Sequence, residues 1–469
     1  MIQSSYLDRF LFRLFVFTLP LGHFVELPFG DFYTKIVPQF STSVMFVGFA
    51  FMLLKSAKFV DKNVRPFVKF WYFSIIYTFF ASTLLIIMYY AGFADDIDWV
   101  AWNLEMPYRA IMRDIIFWFF SLMALLYSYY NLSYVIRFEQ LYRVFEWSII
   151  SILSVGILQY GALNGNVFCI ILHSVLGSVF KLIDLSDMMV LERGVCFWGS
   201  EVASASGYCM FILPFSIITF FNSKNGKKIR FGFYTALFLF FLLTSGSSST
   251  LIATLVVVGC TILFIFKGTI KKWVYYLSFL FGFVIVTLYT IDIDVSTRAS
   301  STDKESIEYI LLGKLVDKEN GSTATRVSTV CNDMKIFLTY PITGIGNGCQ
   351  GYFYNSNIPA WTRFAEEVQR ALNYESGSIS NGGGNFFASY ISGYGFVGIV
   401  VLLILLKQYK IRFRRSVVNY NSVAEFTFAT CIIVFLLAGW YVQTIEDNKL
   451  MFMLALGCVP YKNISKNSL

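Results

Sequence analysis

The sequence predicts an all-α polytopic membrane protein of about twelve transmembrane helices, with one large outer loop between the ninth and the tenth. Three observations carry that expectation. Of 469 residues, 57% are hydrophobic and 14% are charged, against roughly 25% charged in an ordinary soluble domain. Apolar runs of about 18 or more residues recur, each long enough to cross a hydrocarbon core about 30 Å thick. The lysines and arginines behind the net charge of +8 sit in short loops between those runs. That distribution encodes topology and is not the clustered basic patch of a nucleic-acid-binding domain, so a nucleic-acid partner is excluded.

The elements follow in order. Arg9 and Arg13 precede the first apolar run with no small-residue cleavage site behind it, so residues 10–28 are expected to stay as a first helix. The second covers 36–54, and Lys55, Lys58, Lys62, Arg65 and Lys69 then mark an inner loop. The third, 70–91, leads out to Asp95, Asp96 and Asp98; the fourth, 109–130, returns to Arg137 and Arg143. The fifth spans 144–163. The outer segment after it, about 164–200, contains an apolar stretch, 167–182, suited to an interfacial or re-entrant helix.

The sixth helix, 202–221, ends at Lys224, Lys227, Lys228 and Arg230. The seventh and eighth, 231–243 and 250–266, are short and joined by small residues from Thr244 to Ser249. Lys267, Lys271 and Lys272 return the chain inside, and the ninth helix, 273–291, delivers the large loop at 292–385. The tenth, 386–406, ends at Lys407, Lys410, Arg412, Arg414 and Arg415; the eleventh is 423–442 and the last 449–459. Residues 1–291 thus hold nine crossings, 292–385 the loop, and 386–469 three crossings and an inner C-terminus, with both termini on the inner side.

The large loop is the long polar interruption in an oily chain, and the candidate chemistry gathers there. Residues 324–339 read as a helix, since Val327, Val330, Met334 and Phe337 recur at helical spacing and Pro341 follows. With Thr323 or Thr325 as its cap, Arg326 would lie in the first turn. There free amides and the helix dipole favour an anion, and the guanidinium fork suits phosphate oxygens. The same position also suits a residue solvated beside the membrane. Gly344, Gly346 and Gly348 allow positive φ, as an anion nest requires and as an ordinary turn does. Arg363 with Glu367, and Glu366 with Arg370, are four residues apart, the spacing of a salt-bridged exposed helix.

In the smaller outer segment Arg193 and Glu201 flank the entry to the sixth helix, where a second arginine would let two cations hold one diphosphate or would serve as an interfacial anchor. The eight cysteines lack metal spacing; Cys331 and Cys349 lie in one loop and are the pair that a bridge would join. His23 and His173 stand alone and are expected to be structural.

Taken together these pieces resemble a family. Arg193-Gly194 precedes a helix, a Ser/Gly turn separates two short helices between Leu243 and Leu251, and Thr325-Arg326 is followed by the run from Pro341 to Gly348. Asn385-Phe386-Phe387 then leads to Gly393-Tyr394-Gly395-Phe396-Val397-Gly398. Their order resembles the O-antigen polymerase and ligase superfamily of bacterial envelope glycosyltransferases. The resemblance implies a multi-pass protein of the bacterial inner membrane, cytoplasmic termini and a periplasmic large loop. It also implies glycan transfer from an undecaprenyl-diphosphate-linked donor without cofactor. Partners would be that lipid-linked oligosaccharide, membrane lipid, a chain-length regulator and a flippase.

By match to the family's periplasmic arginines, Arg193 and Arg326 would stabilise the departing diphosphate. Gly344, Gly346, Gly348, Asn385 and Glu201 would contact substrate. Ligases typically carry a His just before the Asn that opens the tenth helix; here that position is Gly384, which favours a polymerase. The general base stays open among Glu201, Asp333, Glu366, Glu367 and Glu375. The rivals are a ligase to lipid A-core and, from another class, a flippase for the same unit. Transport would call for ionisable residues near the bilayer midplane, whereas the proposed helices are nearly free of charge at their centres.

Overall fold

The computed structural model describes residues 6–20, 40–55, 60–94, 96–180, 194–198, 205–244, 248–265, 321–374, 386–417, 423–439 and 448–459. Among the described residues there are helices and turns but no strands. The chain begins with α1 (Tyr6–Thr18), α2 (Phe40–Leu54) and α3 (Arg65–Tyr90). A short α4 (Trp99–Leu104) leads to α5 (Pro107–Tyr134), α6 (Phe138–Leu163) and α7 (Val167–Phe180). Then come α8 (Ala205–Asn222), α9 (Asn225–Leu243) and α10 (Ser248–Ile265).

The described part of the large loop holds α11 (Gly321–Thr339) and α12 (Glu366–Leu372), and α13 (Phe386–Val417), α14 (Val423–Gly439) and α15 (Asn448–Cys458) complete the chain. The expected ninth helix, 273–291, lies outside the described residues, as do His23, Arg193, Glu201, Glu375 and Asn385.

Arg65–Tyr90, Pro107–Tyr134, Phe138–Leu163 and Phe387–Gln408 are each long and apolar enough to cross a membrane, with several shorter apolar helices beside them. Over the described residues the chain is helical, which is consistent with an all-α membrane protein. Its helices present apolar side chains outward: Ile76, Phe79 and Phe80 of α3 and Leu403 and Ile404 of α13 are all more than half exposed, an outer surface that only lipid solvates well.

Several helices run further than the apolar pattern predicts. The one expected at 70–91 begins at Arg65, with Pro66 in its first turn where no amide is lost, and the one expected to end at Leu406 continues through the basic cluster to Val417. Lysine and arginine are good helix formers, so a helix need not stop where the hydrocarbon does.

Burial against lipid gives helices little reason to associate, so packing and buried polar contacts do so. The interior is aromatic: Phe145 lies against Phe211, Phe215, Phe428 and Phe452, joining α6 to α8, α14 and α15. The buried Asn448 amide of α15 donates to Thr42 Oγ1 at 2.7 Å and Ser41 Oγ at 3.2 Å on α2.

The loop from α11 to α12 has its own small core of Ala324, Tyr354, Ile358, Ala365 and Val368, with the Ser328 and Tyr354 hydroxyls 2.6 Å apart. It docks on the acidic segment before α4: Asp98 N donates to Tyr352 O at 2.8 Å, and the Ser356 hydroxyl to Asp96 O at 2.8 Å. Two segments expected on the same outer side therefore meet.

Cys331 and Cys349 are not bridged, which corrects the pairing suggested by their shared loop. Cys349 is fully buried and donates to Ser82 Oγ at 3.6 Å, and burial pushes its thiol up to about 12.

Candidate functional site

The glycine-rich run after α11 plugs into the bundle. Pro341 ends α11, and Gly344, Gly346 and Gly348 all take positive φ, at 63°, 84° and 88°. A Cβ on Gly346 would lie 1.9 Å from Ser82 Oγ and 2.9 Å from Ser82 N on α3, so this position needs glycine for both its conformation and its space. The partner surface is α13, which departs from helical geometry at Gly395 (φ 59°, ψ −156°). That break frees amides that the run accepts: Phe396 N donates to Pro341 O at 2.8 Å and Val397 N to Ile342 O at 3.4 Å. In return Ile345 N donates to Ser392 O at 3.2 Å and Gly346 N to Gly393 O at 2.9 Å.

The run's amides are therefore engaged within the protein. Gly344 N donates to Tyr340 O at 3.0 Å and Gly348 N to Gln350 Oε1 at 2.9 Å, completing the set at the three glycines. The amide cradle expected at Gly344, Gly346 and Gly348 is here a clip between α11, α13, α3 and α5. Asn347 fastens it further, donating to Asp114 Oδ1 of α5 at 2.6 Å and accepting from Gln350 Nε2 at 3.1 Å.

Asp333 lies beneath the clip on α11. It is fully buried, and the Ser389 and Ser392 hydroxyls of α13 donate to it at 2.9 and 3.4 Å. Burial, only partly offset by those hydrogen bonds, pushes its carboxyl up to about 7. A group so enclosed fastens α11 to α13 and is not open to an acceptor sugar.

The other carboxylates expected as bases divide. Glu366 is exposed and paired with Arg370 as their spacing predicts. Glu367 instead accepts from the Thr325 hydroxyl at 2.8 Å, and Arg363 turns inward to the carbonyl and side-chain oxygens of Asn355.

The rim is closed by residues that sequence reasoning passed over. Asp98 caps α4 through Val100 N at 2.8 Å and Ala101 N at 3.4 Å, and also accepts from Asn355 and the Tyr374 hydroxyl, each at 2.9 Å. Burial works to raise its carboxyl, but these four bonds together hold it below the usual range. Arg113 pairs with Glu105 at 2.8 Å beside the clip. A capping pattern, an aspartate just before the turn at Trp99, could have singled out Asp98, but Asp114 meets Asn347 across more than two hundred residues and left no local signal.

Arg326 stands apart from this fastening. α11 starts at Gly321, so the arginine lies in the second turn and not the first, and Thr325 bonds Glu367 and does not cap. Its side chain is exposed and has no ion pair or hydrogen bond among the described residues. At 1.5 Å per residue it sits about 10 Å along α11 from Asp333, beyond the level where Ser389 opens α13. In the smaller outer segment, Gln159 of α6 accepts from Cys196 N at 3.0 Å and Phe197 N at 2.7 Å, which pins the chain just after position 193.

Residues 233–404 match the family model described as O-antigen ligase, a stretch that takes in the latter part of α9, α10, α11, the clip and most of α13. Over that stretch, somewhat more than a third of its length, the chain is similar to the O-antigen polymerase/ligase superfamily. Members of the matched family are glycosyltransferase-like polymerases and ligases that act on lipid-linked glycans. The superfamily match thus ends inside the helix that the clip holds. No curated protein gives a match to the chain.

Proposed function

We propose that this chain is an O-antigen polymerase of the bacterial inner membrane. It would transfer a growing glycan from undecaprenyl diphosphate to the non-reducing end of an incoming lipid-linked repeat unit at the periplasmic face. Arg326 carries the reading: an exposed guanidinium without an ion pair or side-chain hydrogen bond among the described residues, on a helix locked to the bundle at Asp333 and through the clip. A cation held on a fixed arm stabilises charge that appears only as the reaction proceeds.

In the transfer, an acceptor hydroxyl forms a bond to the donor's anomeric carbon while the bond from that carbon to the diphosphate oxygen breaks. The electron pair leaves with the diphosphate, and the hydroxyl proton passes to a base. Arg326 and Arg193 are assigned to the diphosphate, and Glu201 and Asn385 to the substrates beside it. Gly344, Gly346 and Gly348 are assigned to holding α11 in place, so they serve substrate binding through Arg326. Twelve crossings, cytoplasmic termini and a neighbouring chain-length regulator and flippase complete the proposal.

Gly384, at the position where ligases typically carry a His, supports polymerase over ligase. The ligase remains the second reading because the matched family model is itself described as O-antigen ligase.

The test is lipopolysaccharide gel analysis of a deletion strain complemented with Arg326→Ala. Loss of one charge-stabilising donor is expected to slow transfer about 10²- to 10³-fold. The variant should insert at wild-type levels yet yield core capped by a single repeat unit, with partial chains restored by Arg326→Lys. Normal long chains would remove Arg326 from the mechanism, and bare core with accumulated lipid-linked polymer would establish the ligase.

A further inference from the structure

At the end of the bundle away from the clip lies a second, separate basic feature. α5 carries the chain about 30 Å from Asp114 to Tyr134, and α6 begins four residues later beside α1. Between α1 and α6 is a groove of about 450 Å³ whose polar lining is Arg13, Gln140 and Arg143. Phe10, Phe17 and Trp147 supply apolar walls, and Phe10 and Trp147 are 49% and 64% exposed at its mouth. Ser148 Oγ donates to Phe17 O at 3.2 Å, tying α6 to α1 beside the groove.

Among the described residues the charge here has no ion-pair partner. Asp8 is taken by Lys55 at 2.5 Å and Glu146 by Arg230 at 3.1 Å, and among the described residues neither Arg13 nor Arg143 has a carboxylate partner. Among the described residues Arg13 Nε and Gln140 Oε1 are buried without a hydrogen-bond partner, and both residues line the groove.

We infer that this groove binds the headgroup of an anionic glycerophospholipid, with the phosphate between Arg13 and Arg143. Two cations fit a phosphate. Exposed Phe and Trp beside them match the interfacial layer of a bilayer and are unsuited to a free anion in water. The surrounding inner-loop lysines and arginines place the groove at the cytoplasmic leaflet by the positive-inside rule, where each basic residue near an anionic surface favours binding.

The test is native mass spectrometry of the full-length protein in detergent, titrated with phosphatidylglycerol, phosphatidylcholine or undecaprenyl phosphate. Wild type should retain one phosphatidylglycerol about tenfold more readily than phosphatidylcholine. Arg143→Gln, at an exposed position, should weaken phosphatidylglycerol retention on the order of fivefold, and R13Q/R143Q should lower it to the phosphatidylcholine level. Equal retention of the two phospholipids, preference for undecaprenyl phosphate over phosphatidylglycerol, or unchanged retention by Arg143→Gln would each overturn the inference.

Discussion

Asp333 shows how much of this molecule turns on single side chains. Its carboxyl is pushed up to about 7 from an ordinary 3.8 by burial, so between those values the folded protein holds a proton that the unfolded chain has released. The stability this contributes is complete below about pH 4 and is lost as pH rises through 7, at a slope of at most about 1.4 kcal/mol per pH unit. Asp333→Asn, which cannot ionise, should flatten that dependence: melting midpoints of detergent-purified protein between pH 5 and 8 should fall for the wild type and hold nearly level for the variant. Parallel curves would mean that another group controls the slope. Gly346→Ala tests the clip itself. The new Cβ would meet Ser82 Oγ at 1.9 Å with the backbone at φ 84°, and left-handed strain plus overpacking should cost about 2–4 kcal/mol. Ser82→Ala in the same chain removes the closest of those contacts and should recover part of the lost melting temperature.

At the scale of elements, the break in α13 and the run after α11 are one device. A helix interrupted at Gly395 has amides to give away, and the run has carbonyls placed to take them, so neither is satisfied without the other. A Cβ at Gly395 would lie 2.5 Å from Ile342 O, so Gly395→Ala should prise the two apart. The readout is limited proteolysis, with cleavage within residues 341–348 faster than in wild type while α5 and α6 stay protected. The sequence made much of the scaffold legible. Basic residues after Leu54 and Asn222 located the ends of α2 and α8, and Val327, Val330 and Phe337 marked α11 by their spacing. The interruption was not legible, because Gly393, Gly395 and Gly398 sit in an apolar run that local propensity continues as helix. Asp333 appeared among possible bases, but nothing near it in sequence announces the serines of α13 that enclose it. Such pairings are set by tertiary packing, which a local pattern does not encode.

The whole molecule has two chemically different ends joined by an aromatic middle. One end gathers Asp98, Asp114, Asp333, the clip and the exposed Arg326; the other gathers the Arg13–Arg143 groove and the basic inner loops. Both proposals depend on which end faces which compartment, and accessibility to a membrane-impermeant maleimide decides it. Seven of the eight native cysteines are buried and Cys169 is partly exposed, so Cys169→Ser gives a nearly silent background. Glu366 on α12 and Lys62 before α3 are both exposed and lie at opposite ends of the bundle. Glu366→Cys should label in cells with a permeable outer membrane, and Lys62→Cys only after the inner membrane is opened. Labelling of Lys62→Cys alone in intact inner membranes would invert the molecule, place Arg326 in the cytoplasm away from any periplasmic donor, and remove both the polymerase reading and the leaflet assigned to the phospholipid groove.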